Sequence, residues 1–224
     1  MIYHNIHINT KTLDEAWLEW YKLLSANPSS DKSRDGAIAG EVINAITVID
    51  NPTDCIMKNP IRNLSLKYAI GELLWYLSGN NSLQEIQKYT HNWDRMSDDG
   101  ITVNSNYGYC IQHKYDFDQW KYVEDLLRKS PESRQAVIHI KTASDEQSKD
   151  VNCTVCLQFF IRDNKLYLTT YMRSNDIWLG FPYDVFQFTA MQIVMSMRLG
   201  VELGTYTHIA GSLHLYERDV HETR

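Results

Sequence analysis

The chain has 224 residues, of which 43% are apolar, 22% charged and 12% aromatic. Those proportions suit one ordinary globular domain spanning residues 1–224, and they exclude collagen-like, coiled-coil and disordered readings. The formal net charge of −6 argues against a general nucleic-acid surface, so any phosphate site must be built from a few placed arginines.

A first helix is expected over residues 13–25. Thr12 and Glu15 form a capping box, and Leu13, Ala16, Trp17, Trp20 and Leu24 fall on one face. The polar stretch at 27–36 reads as a loop, and the Val- and Ile-rich residues 41–49 as a strand. Residues 63–77 form a helix that is apolar around most of its circumference, with Glu72 set among Leu73, Leu74 and Trp75. Such a helix is buried on most sides. Gly79 ends it, and Ser82 with Glu85 starts a third helix reaching about residue 89. Residues 98–105 are a loop, and a fourth helix runs over 117–129, ahead of Pro131.

The second half is strand-rich. Residues 135–141 and 155–162 read as strands, and Asp163-Asn164 is a tight-turn signal leading into a third strand at 165–172. A long apolar helix covers 184–199 and stops at Gly200, and a last strand lies near 205–210. Helices and strands without a regular β-α-β rhythm point to an α+β (α/β) class with a mostly antiparallel or mixed sheet.

No segment approaches the roughly 18 apolar residues of a membrane span. The opening MIYHNIHINTK lacks the basic region and apolar core of a signal peptide. Cys55, Cys110, Cys153 and Cys156 are too few for a disulfide framework, so reduced thiols in a cytoplasm are expected. Cys153 and Cys156 make a C-x-x-C, which fits a redox pair or half a zinc site, but no second pair stands at similar spacing.

Three clusters carry chemistry. Cys153 opens a strand between Asn152 and Thr154; it is a candidate nucleophile, although a buried free thiol is the commoner role. Residues 171–184 (YMRSNDIWLGFPYD) put Arg173, Ser174, Asn175 and Asp176 between two apolar elements, either as a hydrogen-bonded loop or as an anion cradle. Residues 211–216 (GSLHLY) place His214 and Tyr216 on one side of an extended segment.

In this order and spacing these stretches resemble the thymidylate synthase family, from about residue 33 to 216. The carrying motifs are SRDG at 33–36, GELLWYLSG at 71–79, NWD at 92–94, NYG at 106–108, SR at 133–134, NCTVCLQF at 152–159, RSNDIWLGFPYD at 173–184, and GSLHLY. The resemblance implies a mixed sheet flanked by helices, paired sheet to sheet in a homodimer. It also implies a one-carbon transfer from 5,10-methylenetetrahydrofolate to C5 of a pyrimidine nucleotide, through a cysteine thiolate added at C6.

Carried over by motif, Cys153 matches the nucleophile, with Gln158 five positions on. Arg34 and Arg173, with Ser174 beside the latter, match phosphate ligands. Arg134 matches an arginine reaching the partner subunit's phosphate site. Glu72 matches the buried glutamate that organises water and proton transfer near C4, and Tyr107 a tyrosine that handles the C5 proton. Asn175 and Asp176 lie on the substrate side. His214 and Tyr216 match the pair on the 3′-hydroxyl, and Trp93 and Asp176 match positions lining the folate.

Departures from the family pattern bear on the substrate. Asp184 stands where the family's thymidylate synthases carry an asparagine that pairs with the uracil edge. A carboxylate accepts from cytosine N4–H₂ and, protonated, also donates to N3; the plainer role for Asp184 is a helix cap. Thr154 replaces the histidine after the nucleophile, Ser212 an aspartate, Met172 a glutamine, and Gln135 the second arginine of an S-R-R. The changes at Asp184, Thr154, Met172 and Ser212 together resemble the deoxycytidylate hydroxymethylase branch, in which water completes the reaction, whereas Gln135 removes one phosphate charge. The expectation is dCMP to 5-hydroxymethyl-dCMP. Conversion of dUMP to dTMP, C5 methylation of dCMP or CMP, and a non-catalytic nucleotide-binding regulator are the alternatives. The chain stops eight residues after Tyr216, without the C-terminal tail that closes over the folate in thymidylate synthases, and a wetter site is expected.

Overall fold

The computed structural model describes residues 2–26, 32–33 and 36–220. It begins with strands β1 (Ile2–His4) and β2 (His7–Thr10), helix α1 (Leu13–Ser25), and strands β3 (Lys32–Ser33) and β4 (Gly36–Ile49). Helices α2 (Leu66–Leu77), α3 (Leu83–Gln87), α4 (Tyr107–Gln112) and α5 (Gln119–Lys129) follow. Then come strands β5 (Val137–His139), β6 (Thr154–Arg162), β7 (Lys165–Met172) and β8 (Asn175–Asp176), helix α6 (Phe181–Leu199) and strand β9 (Glu202–Tyr216).

The strands form one mixed sheet whose main path is β1-β4-β9-β7-β6-β5, with β2 and β3 also on β4 and β8 on β9. The centre is a long antiparallel β4–β9 pair, followed by a parallel β9–β7 pair and the β7–β6 hairpin. This is the α+β architecture expected from the element order. The hairpin turns at Asp163 and Asn164, both at positive φ (50° and 57°), as a primed two-residue turn requires.

Helices α1 and α6 pack on one face of the sheet. The apolar stripe of α1 is fully buried there, and Trp20 Nε1 donates to Thr47 Oγ1 of β4 at 2.8 Å. Trp17 Nε1 donates to the Ile177 carbonyl at 3.0 Å, tying α1 to the segment just before α6. Among the described residues one hydrophobic cluster runs from Leu13 to Leu215. On the opposite face, cross-strand partners Ile46 and Ile209, Val48 and Thr207, and Phe160 and Tyr167 are only half-buried in the monomer.

Several boundaries differ from the sequence expectation. Helix α2 begins at Leu66 rather than 63, because Asn63 adopts φ 44° and the Ser65 side chain caps by accepting from Tyr68 N–H at 3.3 Å. Helix α5 begins at Gln119, capped by Asp118. Helix α6 begins at Phe181, with Pro182 in its first turn, and β9 is far longer than 205–210. Ser82 makes no side-chain cap bond. At α1, Thr12 caps as expected, but Glu15 reaches back to Lys11 N–H rather than to Thr12. Strands β1 and β2 and the six-residue α4 were not anticipated; they are too short to show a period. Within the expected loop at 27–36, residues 27–31 and 34–35, and Arg34 with them, lie outside the described residues. No helix among the described residues is long and apolar enough to cross a membrane.

Candidate active site

Helix α2 supplies the first carboxylate. Glu72 is buried, and the tyrosines one turn before and after it lie on the same face. Tyr68 and Tyr76 both donate to Glu72 Oε1, at 2.6 and 3.1 Å. Gln187 Nε2, from α6, donates to Oε2 at 3.0 Å and to the Ala69 carbonyl at 3.0 Å. Burial pushes the Glu72 carboxyl up to about 7, against the pull of these three donors. A carboxyl that titrates near neutrality suits proton transfer.

Helix α6 supplies the second. Asp184 sits in its first turn, and Asn175 Nδ2 donates to Asp184 Oδ2 at 2.8 Å. Burial, and then the nearby Glu72 charge, push Asp184 up to about 8. The approach of Asn175 depends on Gly180: a Cβ there would lie 2.8 Å from Asn175 Nδ2 and 3.2 Å from Asp184 Oδ2. Asp184 is thus more than a helix cap, and no side-chain cap bond occurs at that helix start.

Cys153 is half-buried immediately before β6 and is not part of a disulfide. Arg173 braces the segment that carries it. The Arg173 backbone N–H donates to the Cys153 carbonyl at 2.8 Å, its Nε to the Asn152 carbonyl at 3.1 Å and its Nη2 to the Val151 carbonyl at 2.8 Å. The guanidinium is exposed, so it couples the nucleophile segment to whatever anion it meets. Cys156 is separated from Cys153 by an irregularity in the β6–β7 pairing.

Tyr107 opens α4, capped by Asn106, whose side chain accepts from Tyr109 N–H at 2.6 Å. Gly108 lets this helix abut α2, since a Cβ there would collide with the Tyr76 carbonyl at 1.8 Å. The Tyr107 ring stacks on Phe188 at 5.6 Å and lies 5.1 Å from Tyr76. Burial, then the charges of Asp184 and Cys153, hold its hydroxyl well above the usual tyrosine range. Tyr107, Cys153, Asp184 and Glu72 therefore share one electrostatic environment.

At the other end, the His214 and Tyr216 rings meet edge to face at 5.0 Å, both buried. Ser212, at the departing position, donates to Glu41 Oε1 from the neighbouring strand and lies 3.5 Å from His214 Nδ1. Trp93 packs edge to face on Trp75 at 5.4 Å, and its Nε1 donates to the Tyr68 hydroxyl at 3.1 Å, linking it to Glu72. Asp176 Oδ1 accepts from the Trp178 N–H at 2.7 Å. A fixed aromatic wall and a carboxylate with Oδ2 unbonded among the described residues fit a planar ligand bearing ring N–H groups. Ser174 is half-buried beside Arg173. Arg134 stands apart from this cleft: it is exposed, and its carbonyl accepts from Gln158 Nε2 at 2.9 Å.

Six contributors were not anticipated from the sequence: Tyr68, Tyr76, Gln187, Glu41, Tyr206 and His208. The two tyrosines were legible, at four residues either side of Glu72. The others come from distant elements.

Comparison with known proteins agrees with this geometry. The family model described as thymidylate synthase matches residues 16–224. The deoxyuridylate hydroxymethyltransferase of Bacillus phage SP01 is 33% identical over 185 residues, covering 72% of this chain and 48% of that protein. The thymidylate synthase of Bacillus phage phi3T is 30% identical over 168 residues, covering 71% of this chain and 60% of that protein. The chain thus spans about half to three-fifths of the length of these curated relatives. The crystal structure of thymidylate synthase from T4 phage superposes with a TM-score of 0.77 at 20% identity, covering 90% of this chain and 76% of that one. With its fold, its motifs and these matches in agreement, the chain belongs to the thymidylate synthase family.

Proposed function

We propose that the protein is a C5 one-carbon transferase acting on a pyrimidine nucleotide, with dCMP as substrate and 5-hydroxymethyl-dCMP as product. The observation that carries the base assignment is Asp184, a half-buried carboxyl pinned through one oxygen by Asn175. The Cys153 thiolate attacks C6, forming the S–C6 bond and making C5 electron-rich. The 5,10-methylenetetrahydrofolate co-substrate supplies the one-carbon unit when bound, against Trp93 and Asp176. C5 would bond to the one-carbon unit as that unit's bond to the folate nitrogen breaks, Tyr107 would accept or relay the C5 proton, and Glu72 would manage proton transfer near C4. Water would then add to the resulting exocyclic methylene, giving the alcohol, as C6 releases the thiolate. Arg173 and Ser174 hold the 5′-phosphate together with Arg34, and His214 and Tyr216 hold the 3′-hydroxyl.

Asp184 supports cytosine in both protonation states. Ionised, it accepts from N4–H₂; neutral, it also donates to N3. A second reading, hydroxymethylation of dUMP, is favoured by the raised Asp184 carboxyl, because a neutral acid can donate to uracil O4 and accept from N3–H. The SP01 relative carries that activity in its name. The two readings diverge with pH: use of dUMP falls as pH rises through about 8, where Asp184 ionises, whereas use of dCMP persists.

The proposed homodimer pairs the helix-free sheet faces, where Ile46, Val48, Phe160 and Ile209 are half-buried in the monomer. Arg134, whose carbonyl accepts from Gln158 at this face, would reach the partner's phosphate site in such a dimer. The test is incubation with methylenetetrahydrofolate and either dCMP or dUMP, with products identified by mass. A gain of one CH₂O on dCMP supports the cytosine reading, and conversion of dUMP alone overturns it.

A further inference from the structure

A buried polar chain runs from the centre of β9 to Asp184, and none of its first two members is part of the mechanism above. Tyr206 and His208 lie two residues apart on β9 and are 0% and 1% exposed. The Tyr206 hydroxyl meets His208 Nδ1 at 2.8 Å, His208 Nε2 meets Asn175 Oδ1 at 3.0 Å, and Asn175 Nδ2 donates to Asp184 Oδ2 at 2.8 Å. The Phe181 ring packs edge to face on His208 at 5.2 Å and locks its plane.

The placement of the Asn175 amide sets the polarity of this chain: its NH₂ faces Asp184 and its carbonyl faces His208. That carbonyl needs a donor in turn, so Nε2 carries the imidazole proton and Nδ1 accepts from Tyr206. Burial keeps His208 neutral, with its pKa pushed down to about 3, so its charge does not change at any physiological pH.

We propose that His208, oriented by Tyr206, is a positioning residue for base specificity: it fixes the Asn175 amide so that Asp184 Oδ2 is always an acceptor and Oδ1 is left for the base edge. The proposal rests on the reading of Asp184 as the base-reading group. It adds that donor and acceptor roles at Asp184 are assigned from β9, about one sheet layer away. With Oδ2 committed, a proton on a neutral Asp184 resides on Oδ1, and the group offers one defined pattern rather than two interchangeable oxygens. Without His208, the Asn175 amide can turn over, present its carbonyl to Asp184, and reverse that pattern.

The experiment measures equilibrium dissociation constants for dCMP and dUMP, without folate, on wild type, His208→Phe, His208→Gln and Tyr206→Phe, each checked for folding by Tm. The expected result is that His208→Phe reduces the ratio of the two constants by about tenfold or more, chiefly by weakening the preferred nucleotide. His208→Gln, whose amide can still donate to Asn175, restores most of the ratio; Tyr206→Phe has a smaller effect in the same direction. In an Asp184→Ala background, His208→Phe leaves the ratio unchanged. An unaltered ratio in folded His208→Phe overturns the proposal, as does equal weakening of both nucleotides. A wild type that prefers dUMP, with that preference lost in His208→Phe, overturns the cytosine reading and supports the positioning role.

Discussion

The two ends of the cleft are built differently. At the end proposed to meet the base, Glu72, Asp184, Gln187 and His208 stand on α2, α6 and β9, and their polar contacts are buried or partly buried. At the end proposed to meet the phosphate, Arg173 is exposed on a connecting segment and already serves two carbonyls of residues 151–152. The contrast suits the proposed tasks. Telling cytosine from uracil depends on placing single protons, and low dielectric with rigid backbone does that. Holding a phosphate needs charge and reach, which flexible exposed arginines supply.

Substitutions at the two ends should therefore fail in different ways. The largest effect belongs to the group between them: Cys153→Ala should lower kcat by about 10⁴-fold or more while nucleotide binding persists, read by turnover beside equilibrium binding. At the base end, Asp184→Asn should move the dCMP-to-dUMP ratio of kcat/KM by about 10³-fold toward dUMP, and an unmoved ratio would show that Asp184 does not read the base. Gly180→Ala crowds Asn175 and Asp184 and should shrink the same ratio about tenfold, with a loss of ~1–3 kcal/mol in stability by denaturant unfolding. At the phosphate end, Arg173→Ala should raise KM for both nucleotides by about tenfold without changing their ratio. A changed ratio there would erase the division between the ends.

The smallest effect is on stability against pH. Both Glu72 and Asp184 have folded carboxyls raised above their ordinary values, to about 7 and about 8. The folded state therefore binds more protons than the unfolded one between roughly pH 4 and 8, and stability falls as pH rises through that window. Glu72→Gln and Asp184→Asn should each flatten that fall, followed by chemical denaturation at pH 5, 7 and 8.5. A pH dependence left unchanged by both substitutions would mean that the carboxyls ionise freely in the folded protein.

The fold was legible wherever an element was long enough to show a period. Helix α1 and strand β7 lie where the pattern placed them, and the Asp163-Asn164 turn follows from residues that tolerate positive φ. The short α4 was not legible, because six residues carry no period; it is set by the Asn106 cap and by Gly108 against the Tyr76 carbonyl. In the site, motifs pointed to Cys153, Glu72, Tyr107, Asn175 and Asp184, and the structure brings Asp184 beside Asn175 and within electrostatic reach of Glu72, and Tyr107 within reach of Asp184 and Cys153. The motifs also pointed to Arg134, for a partner subunit's site.

What the sequence by itself determined was the family, a candidate nucleophile at Cys153 and the replacement of an amide by a carboxyl at Asp184. Those depend on residue identity and on spacing within short segments, which survive without coordinates. What only the tertiary structure decided was how that carboxyl is held and how it ionises. Tyr206, His208, Asn175 and Glu72 come from β9, β8 and α2, and no local pattern links them. The protonation and polarity of a buried group are set by what the fold brings within hydrogen-bonding distance and by the water it excludes.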